Sequence, residues 1–440
     1  MAREIPTDLK YGGAERWAVS AKPKVVTMFP ESDTTYVPGD TDVIRIPIKG
    51  DHILFDESYL QFTFTNTTAD GTAGANRAVS PDYSYYSLFK TMRIYSSAGV
   101  IDHIENYGLY VNKMLQYIGR PAMTASAGSF MGMPPDSFLG SPRTAALGAI
   151  AALATFTVHL PLMGGLFSSM HGKPFPAHLL SGGLVLELTL DSAANCLVGP
   201  DATDATPAYS VSNVRALLSD LKGIPSAIKE AERMKLMSEA KMEFAGESVR
   251  QIATTLSAGT TEKNIALSPD ISSAKTVLCI ARDSASIGVK DRPGLSCSSG
   301  ENFSVAALKS GDDIYPTHRI KSKQHAFFEL QKGMGKSLSD LESLDCAVRW
   351  SNWNDTTADI SADSATAGIC MLQTFALGWD LQAFEEDDTK RSGLKLEADS
   401  TIELEYSGDL TSTGARRFDI YIIHDRTYII TPDGTLVERH

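Results

Sequence analysis

Phe156 to Leu190 reads FTVHLPLMGGLFSSMHGKPFPAHLLSGGLVLELTL, two strand-like runs on either side of a Pro/Gly-rich crossing. In the first run, Phe156 to Leu160, β-formers alternate with polar residues until Pro161 and the Gly164-Gly165 pair stop it. Proline has no ladder donor and glycine favours turns. The second run, Leu184 to Leu190, alternates cleanly. Its period of two puts the leucines on one face and Val185, Glu187 and Thr189 on the other. Between the runs, Lys173-Pro174-Phe175-Pro176 and Ser181-Gly182-Gly183 permit only an extended, turning path over the surface. Such a connection suits a sandwich whose strands change sheets.

Two further segments extend the pattern. Upstream, Ser87 to Ile101 (SLFKTMRIYSSAGVI) reads as a strand, a turn and the start of a second strand, which runs through Ile104-Glu105-Asn106-Tyr107 into a helix ending at Tyr117. Downstream, Phe418 to Gly434 (FDIYIIHDRTYIITPDG) reads as a long strand and a closing hairpin turn. In this order the three segments resemble the double jelly-roll major capsid proteins of icosahedral DNA viruses. There a strand ending in Pro-Leu, here Pro161-Leu162, a glycine- and proline-bearing loop and a Leu-x-Leu-x-Leu strand recur.

The resemblance implies an all-β fold with short helices, built as two consecutive eight-stranded jelly-roll barrels. It implies a homotrimeric, pseudo-hexagonal capsomer that tiles an icosahedral virion shell; synthesis in the host cytosol is expected from an amino terminus without the apolar core of a secretory signal. Its partners would be its own copies, neighbouring capsomers, and minor capsid and penton proteins, and the resemblance allows an internal membrane. The residues themselves offer no catalytic, cofactor-binding or metal-binding candidate. On the residues alone, a single large β-sandwich, two unrelated β domains, a carbohydrate-binding or adhesion protein and a hydrolase with a dispersed site stay open.

Bulk properties agree with two folded units. At 440 residues the chain exceeds the size at which single cores stop growing. With 43% apolar and 21% charged residues it has the composition of a packed globular protein. A net charge of −13, spread along the chain, repels nucleic-acid phosphates, so no direct genome binding is expected. The mildly basic amino-terminal stretch, residues 1–23, is either a flexible terminus or an arm that docks on neighbours. It has no apolar core of the kind a secretory signal needs. Five cysteines without a CxxC pair point to free thiols in a reducing compartment. Thr144 to Val158 is too short for a membrane span. The glycosylation-type triplets at Asn66, Asn302 and Asn354 carry little weight without a secretion signal.

The first jelly roll is expected over 24–200 and the second over 201–440, with the break in the pattern-poor Asp191 to Pro207. Tyr209 to Leu218 then reads as the first strand of the second half, Pro225 as a helix start, and Ala326 to Lys332 as a helix matching that of the first half. Asn66 to Val79 and Met131 to Pro142 read as loops for exposed or inter-subunit surface.

Motifs of chemistry do not emerge. Gly335-Lys336-Ser337 ends like a phosphate loop, but Leu330 stands where the motif needs glycine and the preceding run reads as helix. His159, His171 and His178 are separated by prolines, so no common strand or helix face unites them. Asp102-His103 and His424-Asp425 are sequence neighbours that point to opposite strand faces. Gly311-Asp312-Asp313 reads as a turn and Glu385 to Asp388 as a solvated loop. Trp350, Trp353 and Trp379 are either core and interface fillers or a sugar platform.

Overall fold

The computed structural model of the chain describes residues 21–40, 42–68, 79–118, 131, 153–169, 173–198, 207–257, 259–267, 271–284, 287–288, 294–295, 298, 303–335, 353, 374–382, 393–406 and 415–439. Among these, the first half contributes eight principal strands: β1 (Lys22–Met28), β2 (Val43–Ile48), β3 (Ile53–Asn66), β4 (Phe89–Ser96), β5 (Gly99–Glu105), β6 (Thr155–Pro161), β7 (Leu184–Leu190) and β8 (Tyr209–Lys222). The second half contributes β9 (Met242–Leu256), β10 (Glu262–Ala266), β11 (Ile271–Asp283), β12 (Phe303–Ser310), β13 (Asp313–Ile320), β14 (Leu377–Asp380), β15 (Thr401–Tyr406) and β16 (Arg416–Ile430).

The first half pairs as β1-β8-β3-β6 in one sheet and β2-β7-β4-β5 in the other. The second half pairs as β9-β16-β11-β14 and β10-β15-β12-β13. Adding eight to each number of the first set gives the second, so the same jelly-roll winding is carried out twice. Helix α1 (Tyr107–Ile118) follows β5, and helix α4 (Lys323–Gly333) follows β13, the equivalent place. The two sheets of each half stay separate, so the expected barrels are open, two-sheet sandwiches.

Alternation explains the pairing. On β3, Leu60, Phe62 and Phe64 point inward and lie opposite Leu160, Val158 and Phe156 of β6. On β7, Leu184, Leu186, Leu188 and Leu190 are all buried. Each such side chain contributes about 1.5–3 kcal/mol of burial, which fixes the register, because a slip of one residue would turn the whole row outward. Glu187 lies on the other face as the period requires, yet it too is buried, under Arg45 at 2.7 Å and Arg93 at 3.3 Å.

One strand is not where the sequence put it. Tyr209–Lys222 does not open the second half: it pairs with β1 from Lys22↔Lys222 to Met28↔Ala216, and with β3 on its other side. The loss of pattern between Asp191 and Pro207 marks a return to the first sheet, and composition cannot distinguish a return from a departure. The passage between the halves is helix α3 (Ser226–Glu239), started by Pro225 and ended by Ala240 in the left-handed region. Only Leu236 of this helix is buried.

Candidate functional site at the seam between the halves

The crossing between β6 and β7 forms the face on which the second half docks. After β6, the Gly164-Gly165 turn leads into the single-turn helix α2 (Leu166–Ser169). The Leu166 amide donates to Asp102 Oδ2 of β5 at 2.9 Å. Three side chains of the second half converge on the same carboxylate: Ser248 Oγ at 2.7 Å, Tyr428 OH at 2.8 Å and Arg426 Nη1 at 3.3 Å. Burial pushes the Asp102 pKa up, and Ser248, Arg426, Leu166 and Tyr428 pull it part of the way back. Burial likewise lifts the Tyr428 phenol, with Asp102 adding to the rise.

Close approach makes this convergence possible. A Cβ on Gly165 would lie 2.7 Å from the Asp102 carboxylate, and one on Gly246 would lie 2.5 Å from the Tyr428 ring and 2.7 Å from Ser169 Oγ. That hydroxyl donates to the Gly165 carbonyl and accepts from the Glu247 amide, both at 2.8 Å. Farther along the crossing, the Phe175 ring packs 5.9 Å from Phe244, and the Ser181 amide donates to the Gly434 carbonyl at 2.9 Å.

The seam continues past the crossing. Ser96 Oγ donates to the Leu436 carbonyl at 2.6 Å, and Tyr421 OH to the Asn106 carbonyl at 3.1 Å. Lys113 Nζ reaches Ser298 Oγ at 2.8 Å, and the Leu295 amide donates to Asp82 at 2.7 Å. A polar cleft of about 440 Å³ opens beside it, lined by His103, Glu105, Arg250, Gln251 and Glu438 among others. Satisfied buried networks of this kind specify one arrangement, so the seam fixes how the two sandwiches sit together.

Sequence neighbours expected to diverge do so. Asp102 turns to the seam while His103 Nε2 faces Glu105 at 3.8 Å. His424 Nδ1 lies 3.1 Å from the Asp425 carbonyl, whereas the Asp425 carboxylate holds Ser273 and Lys275. Helix α4 precedes Gly335, in place of the strand a phosphate loop needs. Trp353 and Trp379 are buried, the former donating to the Ala376 carbonyl at 3.1 Å, so neither serves a sugar platform. Cys196 and Cys279 are buried free thiols. Asn66 is fully buried at the end of β3, where its side chain accepts from the Thr68 amide and hydroxyl. Val79 and Met131 are buried, and the loops beyond them, 69–78 and 132–142, lie outside the described residues, as do His171, Trp350, Asn302, Asn354, 144–152 and 385–388.

Of the three histidines, the two within the described residues lie apart: His159 on β6 has its ring 5.7 Å from that of Tyr59, tilted by 50°, while His178 sits in a 3₁₀ turn at Ala177–Leu179. His178 does have company that the sequence did not reveal. His52 and Glu232 come within ligand distance of it, across separations of more than a hundred residues in one direction and fifty in the other. Burial lowers the His178 pKa.

No protein-family model matches the chain, and no curated protein does. Solved structures do. VP54 of PBCV-1 superposes with a TM-score of 0.64 at 10% identity, covering 98% of this chain and 99% of its own. The Faustovirus major capsid protein gives 0.60 at 9% identity, covering 97% and 92%. The mavirus major capsid protein gives 0.54 at 10% identity, covering 99% and 95%. The likeness runs end to end, and the chain has the double jelly-roll fold.

Proposed function

We propose that this chain is a major capsid protein whose homotrimer is a pseudo-hexagonal capsomer of an icosahedral shell. The observation that carries this reading is the repeated winding. Two sandwiches of identical strand order, locked side by side, supply six similar units per trimer, and six such units fill a near-hexagonal tile. Covalent linkage of each pair also removes part of the association entropy that six separate pieces would lose. The end-to-end likeness to the Faustovirus and mavirus major capsid proteins supports it.

Function then resides in surfaces rather than in a reaction, and the chain is not an enzyme. Closed symmetry gives the trimer, and weaker lateral contacts between capsomers allow a shell to form without trapping. Minor capsid and penton proteins complete the shell. The net charge of −13 favours a genome kept apart from this protein, by other proteins or an internal membrane. The two units divide at helix α3, the first ending with β8 rather than near residue 200.

Light scattering coupled to sizing of the purified full-length chain tests the proposal. A particle of three times the 47.4 kDa chain mass, with hexagonal outlines in negative stain, is the expected result. A monomer that never assembles at any concentration overturns it.

A further inference from the structure

We propose that His52, His178 and Glu232 form a binding site for a divalent transition-metal ion of the zinc class, which fastens helix α3 to the first jelly roll. The three side chains come from a bend before β3, the 3₁₀ turn of the crossing, and the helix that links the halves. Their ligand atoms all lie within 4.8 Å of one another. Glu232 Oε2 is 3.0 Å from His52 Nε2 and 3.2 Å from His178 Nε2. Two atoms bound at about 2.0–2.1 Å to one tetrahedral ion stand roughly 3.3 Å apart, so these spacings match edges of such a polyhedron.

Proton bookkeeping points the same way. His178 Nδ1 lies 3.2 Å from the Asp51 carbonyl, which can only accept, so Nδ1 carries the proton. In the neutral imidazole the Nε2 lone pair then faces the Glu232 carboxylate oxygen at 3.2 Å, and this buried nitrogen makes no hydrogen bond. An acceptor opposite an acceptor is relieved by a cation between them. An imidazole that donates Nδ1–H to a backbone carbonyl and offers Nε2 is also the arrangement second-shell contacts impose on metal-bound histidines.

The site is held in advance. The Asp51 and His52 amides both donate to Asp220 Oδ1 at 3.0 Å, and Asp51 is itself gripped by Lys222 and Lys229 at 3.1 and 2.9 Å. Those two lysines are thereby engaged with carboxylates rather than directed at the histidines. The His52 side chain is only 4% exposed whereas that of Glu232 is 29% exposed, so one side is dry and the other gives a path of entry. Two imidazoles and one carboxylate suit zinc over magnesium or calcium, with a fourth position left for water.

The untagged full-length chain, stripped with chelator, is titrated with Zn²⁺ by calorimetry, and Co²⁺ is added separately to read its absorption spectrum. One ion per chain is expected, undisturbed by excess Mg²⁺ or Ca²⁺, with the intense visible bands of tetrahedral Co²⁺. Glu232→Gln and His178→Gln should each weaken Zn²⁺ binding on the order of 100-fold or more, since second-shell changes alone cost about 10–100-fold. Their metal-free unfolding midpoints should stay near that of the parent. Absence of the cobalt bands, which needs no variant, overturns the proposal. So does unchanged affinity in both variants, or a thermal midpoint that responds to acidification but not to zinc, which would mean that the cluster holds only a proton.

Discussion

Arg426 and Asp102 stand 324 positions apart in the chain and 3.3 Å apart in the seam, where neither side chain is more than 10% exposed. Removing one member of a buried pair leaves the other uncompensated and costs about 3–5 kcal/mol. Asp102→Ala also takes the acceptor from Ser248 Oγ and the Leu166 amide, while Tyr428 OH keeps the Glu247 carbonyl at 3.0 Å and Arg426 keeps the Ile101 carbonyl at 2.7 Å and Glu438 at 2.5 Å. Urea unfolding of Asp102→Ala should show a loss approaching that size, tempered by the partners that Arg426 and Tyr428 retain. A loss below about 1 kcal/mol would mean that water replaces the carboxylate and that the seam is not dry.

The same carboxylate gives stability a pH dependence of definite sign. Its folded pKa lies above the ordinary 3.8 because burial is the largest influence on it. The contribution of the protonated form is therefore fully present below the unfolded pKa, and is lost as pH rises through the raised folded value. Asp102→Asn lacks this loss. The stability of the variant relative to the parent should rise with pH across that window and level off above it, read by unfolding at matched pH values. A flat difference would show that Asp102 ionises in the fold at its ordinary pKa.

Glycine substitutions separate close approach from backbone conformation. Gly165 (φ +55°) and Gly39 (φ +82°) are both left-handed, but a Cβ on Gly39 meets nothing within 4 Å while one on Gly165 meets Asp102 at 2.7 Å. Gly39→Ala should cost only the backbone penalty, about 1–2 kcal/mol. Gly165→Ala should cost about 1–3 kcal/mol more through overpacking, and Gly246→Ala about 1–3 kcal/mol by overpacking alone. Thermal unfolding of the three ranks them; equal losses at Gly39 and Gly165 would sink the packing argument.

In the second half, Arg282 donates from Nε and Nη2 to Asp419 Oδ2 at 2.9 and 2.6 Å, both residues being fully buried. Arg282→Met alone should cost up to about 3–5 kcal/mol, because Asp419 Oδ2 loses both of its donors in a buried site. The pair Arg282→Met with Asp419→Leu should recover part of it, because an apolar pair avoids the desolvation both charges suffer. A double variant weaker than the single one would assign the stabilisation to the other partners of Asp419, namely Asn106, Gln251 and Arg417.

Local pattern was enough for most elements. Alternation in Leu184 to Leu190 and the run Phe418 to Ile430 marked strands, and Pro225 marked the start of α3, because these signals act over a few residues. The place of Tyr209–Lys222 was not legible, since its partners Lys22–Met28 and Ile53–Asn66 lie far back in the chain and alternation does not say which sheet receives a strand. His52 and Glu232 were missed for the same reason: 180 residues separate them, and neither belongs to a spaced motif. The crossing was recognised as a turning path, but its role as a docking face depends on Gly246 and Tyr428, which only the assembled fold brings to it.

The sheet order also sets a timetable for biosynthesis. On the ribosome, the first sandwich has every one of its principal strands once Lys222 has emerged, and it can close while the second is still being translated. The second must wait for Arg416–Ile430, because this strand sits between β9 and β11 and nothing made earlier takes its place. Until then the nascent chain carries a finished sandwich whose docking face, with Asp102, Phe175 and Ser181, is wet and unmatched. That interval is when two nascent copies are most prone to stick to each other, and it is where a chaperone would matter most.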